Sequence, residues 1–166
     1  MLILLNLKKR ILKYWKDIAL ILTLFLGVTA WQERNLLANA QPAANFDLQV
    51  LDTDSSSAIF TPGKQTLVYF FAPWCSICKL SIGNLSAVAD EVETVAIALD
   101  YQSLSEVSEF ISDQEVKVPV LLGNQLVSNA YKISAFPTYY LIDTNGRIAE
   151  KSMGYSSSLG LRWRTL

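Results

Sequence analysis

The 166-residue chain predicts an α/β fold, a central mixed sheet with helices on both faces. Two observations predict it. The run Leu67 to Phe71 is apolar throughout, as a strand buried on both faces reads, and it leads into Ala72-Pro73-Trp74-Cys75-Ser76-Ile77-Cys78 and then a helical pattern. A second apolar strand, Val92 to Leu99, precedes Ser103-Leu104-Ser105-Glu106, a capping box that opens a helix. Strands alternating with helices are the mark of parallel crossovers, which cover both faces of a sheet.

The remaining elements are read in chain order. Phe46 to Leu51 alternates as a strand, Asp52 to Ser55 turns, and Ala58-Ile59-Phe60 pairs back ahead of Thr61-Pro62-Gly63-Lys64. The capped helix carries Leu104, Val107, Phe110 and Ile111 on one face. Val118 to Leu122 is a short strand, and Leu126, Ala130 and Tyr131 mark a short helix. Tyr139 to Ile142 is a strand that Asp143-Thr144-Asn145-Gly146 turns into a last antiparallel one, Arg147 to Met153. A C-terminal helix comes last, with Leu159 and Trp163 read as core. The serine runs 55–57 and 156–158 read as turns.

Upstream of the domain the composition changes. Residues 1–17 form a basic leader with Lys8, Lys9, Arg10, Lys13 and Lys16, and residues 18–34 begin with an uncharged apolar run from Ile18 to Trp31. Positive charge before an apolar segment keeps that flank in the cytoplasm and sends the C-terminal side across the membrane. The segment reads as a single-pass anchor in the cytoplasmic membrane with the domain facing the periplasm. A cleaved signal segment is the alternative, since Val28-Thr29-Ala30 and Ala38-Asn39-Ala40 both have small-residue cleavage patterns. Residues 35–45 read as a linker and 46–166 as the domain. From Asn35 onward eight Lys and Arg face thirteen Asp and Glu, a balance of −5 that argues against nucleic acid as a partner.

The only two cysteines stand in one Cys-x-x-Cys turn. At a helix N-terminus the unpaired N–H groups and the positive end of the helix dipole lower the pKa of the first thiol, so Cys75 reads as the nucleophile and as the exposed member. Cys78, a turn further in, reads as the buried resolving thiol. A zinc site would need about four ligands, and the chain has no His and no third Cys. Haem attachment would want His after the second Cys, where Lys79 stands. A structural bridge over two residues restrains the unfolded chain little. Thiol-disulfide exchange is what remains.

Phe71-Ala72-Pro73-Trp74-Cys75-Ser76-Ile77-Cys78 resembles the active site of thioredoxin-fold proteins, and Ala135-Phe136-Pro137-Thr138 resembles that fold's second landmark. The resemblance implies a thioredoxin-like fold with a cis Phe136-Pro137 bond, and substrate binding by Trp74, Phe136, Pro137 and Thr138. The helix and strand between the landmarks form an insert beyond the minimal thioredoxin. With it, the chain is similar to the membrane-anchored (TlpA/ResA-like) thiol-disulfide oxidoreductases, and its C-terminal stretch from Gly154 to Arg164 to the copper-sensitivity-suppressor D type among them. No cofactor beyond the Cys75/Cys78 pair and no metal is implied. The implied partners are protein substrates with disulfides or thiols and a membrane electron donor.

Three positions depart from the family pattern. Tyr69 stands where thioredoxins place a buried acid, Ser81 where the cytochrome-maturation members of the membrane-anchored group often carry a glutamate, and Gly83 where many members have a helix-kinking proline. Ser76 and Ile77 bring no positive charge to Cys75, which favours a reductant or isomerase over a strong oxidant. The second function class is a non-catalytic thioredoxin-fold partner in copper handling or chaperoning, its dithiol binding Cu(I).

Overall fold

Strand β3, Thr66–Phe71, is buried at every residue and lies in the middle of a five-stranded sheet. Its alternate side chains feed two cores. Leu67, Tyr69 and Phe71 enter one with both cysteines, Leu85, Val107, Phe110 and Leu161, while Val68 and Phe70 enter the other with Ile97, Tyr131 and Tyr140. This two-sided burial is the physical content of an unbroken apolar run. The computed structural model describes the backbone of residues 2–165 and the side chains of 14–28 and 33–165.

The sheet order is β5-β4-β3-β6-β7, with β4 Glu93–Ala98, β5 Val120–Leu122, β6 Thr138–Ile142 and β7 Ile148–Met153. β3, β4 and β5 run parallel, and β6 and β7 are antiparallel additions, so the sheet is mixed as expected. Helix α2, Ser76–Ser81, α3, Leu104–Asp113, and the final helix α5, Ser158–Thr165, supply the face of the cysteines; α4, Gln125–Ala130, supplies the other. The insert's strand, β5, is one edge of the sheet, and β7 is the other. A separate hairpin joins β1, Asp47–Gln49, to β2, Ser56–Ala58, so the returning strand starts at Ser56, inside the serine run expected to turn.

The capping box forms with one change of partner. Ser103 Oγ accepts the Glu106 N–H at 3.3 Å, while the Glu106 carboxylate accepts from Gln102, not Ser103, at 2.9 Å. Val107 and Phe110 of the expected face are buried, but Leu104 in the first turn is half exposed. At the C-terminus the expectation is corrected outright: Leu159 and Trp163 are 80% and 81% exposed, and Leu161 is the residue that enters the core. Asn84 bonded to Ser156 and Ser158, and Arg162 bonded to the Ala87 carbonyl, seat α5 with Leu161 inward.

Two compact units divide the chain, Met1–Asn35 and Leu36–Leu166. In the second, residues expected as linker are packed against the sheet. Leu36 and Leu37 are buried, Ala40 and Gln41 exchange backbone bonds with Ile148, and Tyr131 donates its hydroxyl to the Ala44 carbonyl at 2.6 Å. Tyr140 accepts the Leu37 N–H and donates to the Tyr131 carbonyl. The first unit holds helix α1, Leu2–Glu33, whose apolar side chains from Trp15 to Val28 are more than half exposed. Among the described residues no helix is long and apolar enough to cross a membrane. The side chains of the basic leader through Lys13, and of residues 29–32, lie outside the described residues.

Candidate active site

β3 ends at Phe71, and the chain leaves the sheet through Ala72, Pro73 and Trp74 into α2. Cys75 is the N-cap of that helix, with extended backbone, and its sulfur accepts the Cys78 N–H at 3.2 Å. Sulfur here takes the place that Ser, Thr or Asp oxygen fills at most helix starts. The two sulfurs are joined as a disulfide, with the Cα atoms 5.2 Å apart. Cys78 is wholly buried. Cys75, expected at an exposed end, is buried, with 6% of its surface left exposed. The order of accessibility is nonetheless the expected one.

Of the predicted site residues, Trp74 is exposed and Phe136 is partly buried, while Cys75, Cys78, Pro137 and Thr138 are buried. The Phe136-Pro137 bond is cis, and Phe136 meets the Trp74 ring edge-on with centroids 5.8 Å apart. Trp74 is 58% exposed and donates its indole N–H to the Asp100 carbonyl at 3.0 Å. Asp100 has left-handed backbone, φ 50°, a conformation that Asp tolerates better than most residues. Thr138 follows the proline into β6. Its side chain is fully buried and bonded to the Ala135 carbonyl, so it shapes the loop before the proline and offers no surface. Beside Phe136 opens a groove of about 490 Å³ with Asp100, Tyr101, Asn124, Gln125 and Ser134 on its walls.

Ile77 and Leu80, three apart on α2, are exposed and add apolar surface beside Cys75. α2 ends after six residues and passes directly into a 3₁₀ turn, Ile82–Ala87, that contains Gly83. Behind Cys78, Tyr69 is buried with its hydroxyl 3.1 Å from Ser81 Oγ and 3.4 Å from the Cys78 carbonyl. Burial, reinforced by the neighbouring Tyr139 phenol and only partly opposed by the Ser81 bond, drives its pKa far above the ordinary tyrosine value. Asp100 and Tyr139 carry no signal in the sequence that selects them. The register of β3 against β6, which sets Tyr69 opposite Tyr139, is what places the second.

A five-stranded mixed sheet with a Cys-x-x-Cys helix start facing a cis-proline loop defines a thioredoxin-like protein. More particularly, the chain belongs to the AhpC/TSA family, whose model matches residues 40–151. It is 26% identical over 156 residues to the thioredoxin-like protein YneN of Bacillus subtilis (strain 168), covering 86% of this chain and 91% of that one. It is 25% identical over 158 residues to the thiol-disulfide oxidoreductase ResA of Bacillus cereus (strain ZK / E33L), covering 89% and 90%. Among solved structures, StoA from Bacillus subtilis superposes with a TM-score of 0.66 at 24% identity, over 76% of this chain and 99% of that one, which supports the fold.

Proposed function

We propose that the chain is a protein thiol-disulfide oxidoreductase acting through Cys75 and Cys78. One observation carries it: a Cys75–Cys78 disulfide whose first sulfur caps helix α2, with the first cysteine keeping 6% of its surface and the second none. In the reduced protein the Cys75 thiolate attacks a substrate disulfide, forming a mixed disulfide and releasing one substrate thiolate. The Cys78 thiolate then attacks the Cys75 sulfur, releasing the second substrate thiolate and leaving the Cys75-Cys78 disulfide. Two electrons pass to the substrate, and an external dithiol must return them. The name of the ResA relative, with its near full-length match, supports this reading.

Trp74 and Phe136 form the surface on which a substrate chain rests, and the buried Pro137 and Thr138 hold it from below. The groove beyond Phe136 takes the polar residues flanking the target cysteine. The direction is reduction or isomerisation, with electrons supplied from the membrane. The apolar side chains along Trp15 to Val28 support an anchor that leaves the domain outside the cytoplasm. Retention in the membrane fraction after a carbonate wash is expected. A soluble form beginning near Trp31 or Gln41 would instead establish cleavage.

The activity is tested with the purified chain and a disulfide-containing protein substrate. Wild type should reduce it with a dithiol donor, Cys75→Ser should be inert, and Cys78→Ser should accumulate a mixed disulfide. Turnover by Cys75→Ser would end the proposal.

A further inference from the structure

The layer behind Cys78 is polar without being charged. The polar groups placed there are the Ser81 hydroxyl and the phenols of Tyr69 and Tyr139, and among the described residues no carboxylate or ammonium is buried. The Ser81 hydroxyl donates to the Ile77 carbonyl at 2.9 Å, so it accepts from Tyr69, whose hydroxyl also lies against the Cys78 carbonyl. The Tyr139 ring meets that of Tyr69 edge-on at 4.9 Å. Its buried hydroxyl makes no hydrogen bond of ordinary geometry, although Ser81 and Ser156 lie close enough to favour its ionised form.

A six-residue helix holds its shape poorly alone, because nucleating a turn fixes several dihedrals for each hydrogen bond gained. α2 is such a helix, and its core-facing side rests on Tyr69. We propose that Tyr69 is a positioning residue for the resolving step: with Ser81 it pins the α2 turn that carries Cys78, keeping that thiol aimed at Cys75 after the disulfide opens, and it does so as an uncharged group that neither takes nor gives a proton. The inference rests on the exchange reading above and specifies how its second half is organised.

The charged groups around the pair are peripheral. On α2 Lys79 is exposed; Glu106, Glu109 and Asp113 of α3 border a groove with Lys79 and Pro73. Asp100 lies exposed after β4, and Arg164 of α5 reaches Tyr139 and bonds Ser156. The 3₁₀ turn carries no ionisable side chain. Among the described residues no buried carboxylate or amine stands beside Cys78 to take its proton, so Tyr69 and Ser81 act by position alone.

Stopped-flow reaction of the reduced full-length chain with the chromogenic disulfide dithiobis(nitrobenzoate) separates the halves. Attack by Cys75 releases one nitrothiolate, and resolution by Cys78 releases the second. Tyr69→Phe keeps the ring and removes the hydroxyl. It should slow the second phase by about fivefold, the weight of one net hydrogen bond, leave the first unchanged, and keep the pH midpoint of the second in place. Ser81→Ala should do the same, and the double variant should fall short of the product of the two. An unchanged second phase overturns the proposal, as does a shifted midpoint, which would make Tyr69 a proton carrier. If the phases behave as stated yet no variant or wild type reduces a protein disulfide, the exchange function fails while the positioning role stands.

Discussion

The Cys75 sulfur accepts the backbone N–H of Cys78 at 3.2 Å, so the helix that carries the second cysteine is capped by the first. When the disulfide is reduced, the same N–H and the first turn of α2 face the Cys75 sulfur, a setting that favours the nucleophilic form. Cys78 has the opposite surroundings, full burial in an uncharged layer, which favours the thiol. Brief iodoacetamide treatment of the reduced chain near neutral pH should therefore modify Cys75 well before Cys78. Mass mapping that finds Cys78 labelled first would reverse the assigned roles.

On the proposed function, Trp74 contributes to binding more than to bond breaking. Its ring is exposed, braced by Phe136 and tied to the Asp100 carbonyl, so its orientation is set before a partner arrives. Exposed, pre-oriented aromatic residues are the usual anchors of protein contacts. Trp74→Ala should raise KM for a protein disulfide by about tenfold with kcat changed far less, the signature of lost uniform binding. An equal loss in kcat with KM unchanged would place Trp74 in the chemistry instead.

Legibility in the sequence tracks how local each feature is. The cysteine pair, its strand and helix, and the proline loop are read from adjacent residues, and each lies where expected. Tyr69 is recognisable as a departure, but its partners Ser81 and Tyr139 depend on how α2 and β6 are laid against β3. Leu159 and Trp163 have helical i, i+4 spacing, which marks a shared face without saying whether that face turns inward. Hydrogen bonds from Asn84 and Arg162 decide it. The stretch before Phe46 has the composition of a linker, yet its backbone bonds to Gly146 and Ile148 make it part of the sheet edge. Side-chain composition carries no record of such pairing.

The buried phenols set an alkaline limit to the fold. Tyr69, Tyr131, Tyr139 and Tyr140 all have raised pKa values, each chiefly through burial, and Tyr140 is pushed up to about 12. A group whose folded pKa exceeds its unfolded value contributes stability that is complete below the unfolded pKa and is lost as pH rises through the folded one. With an unfolded tyrosine near pKa ~10, stability should hold to about pH 10 and then fall steadily. Phenolate absorbance should rise together with loss of helical circular dichroism. Ionisation of these four residues well before unfolding would contradict the packing described.

The direction of electron flow depends on the surroundings of Cys75. The residues between the cysteines are Ser76 and Ile77, neither of them cationic, and Lys79 is the basic residue of the short helix. Stabilisation of the thiolate thus falls largely to the Cys78 N–H and the helix terminus, and a six-residue helix supplies a modest dipole. Strong oxidants of this chemistry draw their potential from a heavily stabilised reduced form, which these groups do not provide. A redox titration of the full-length chain against glutathione or dithiothreitol should give a potential well below the ~−180 mV typical of isomerases. Such a dithiol donates electrons to most protein disulfides and needs a reductant to restore it. A value near the ~−120 mV of strong oxidants would mean that the chain forms disulfides, and that the N–H at Cys75 stabilises its thiolate far more than one hydrogen bond ordinarily does.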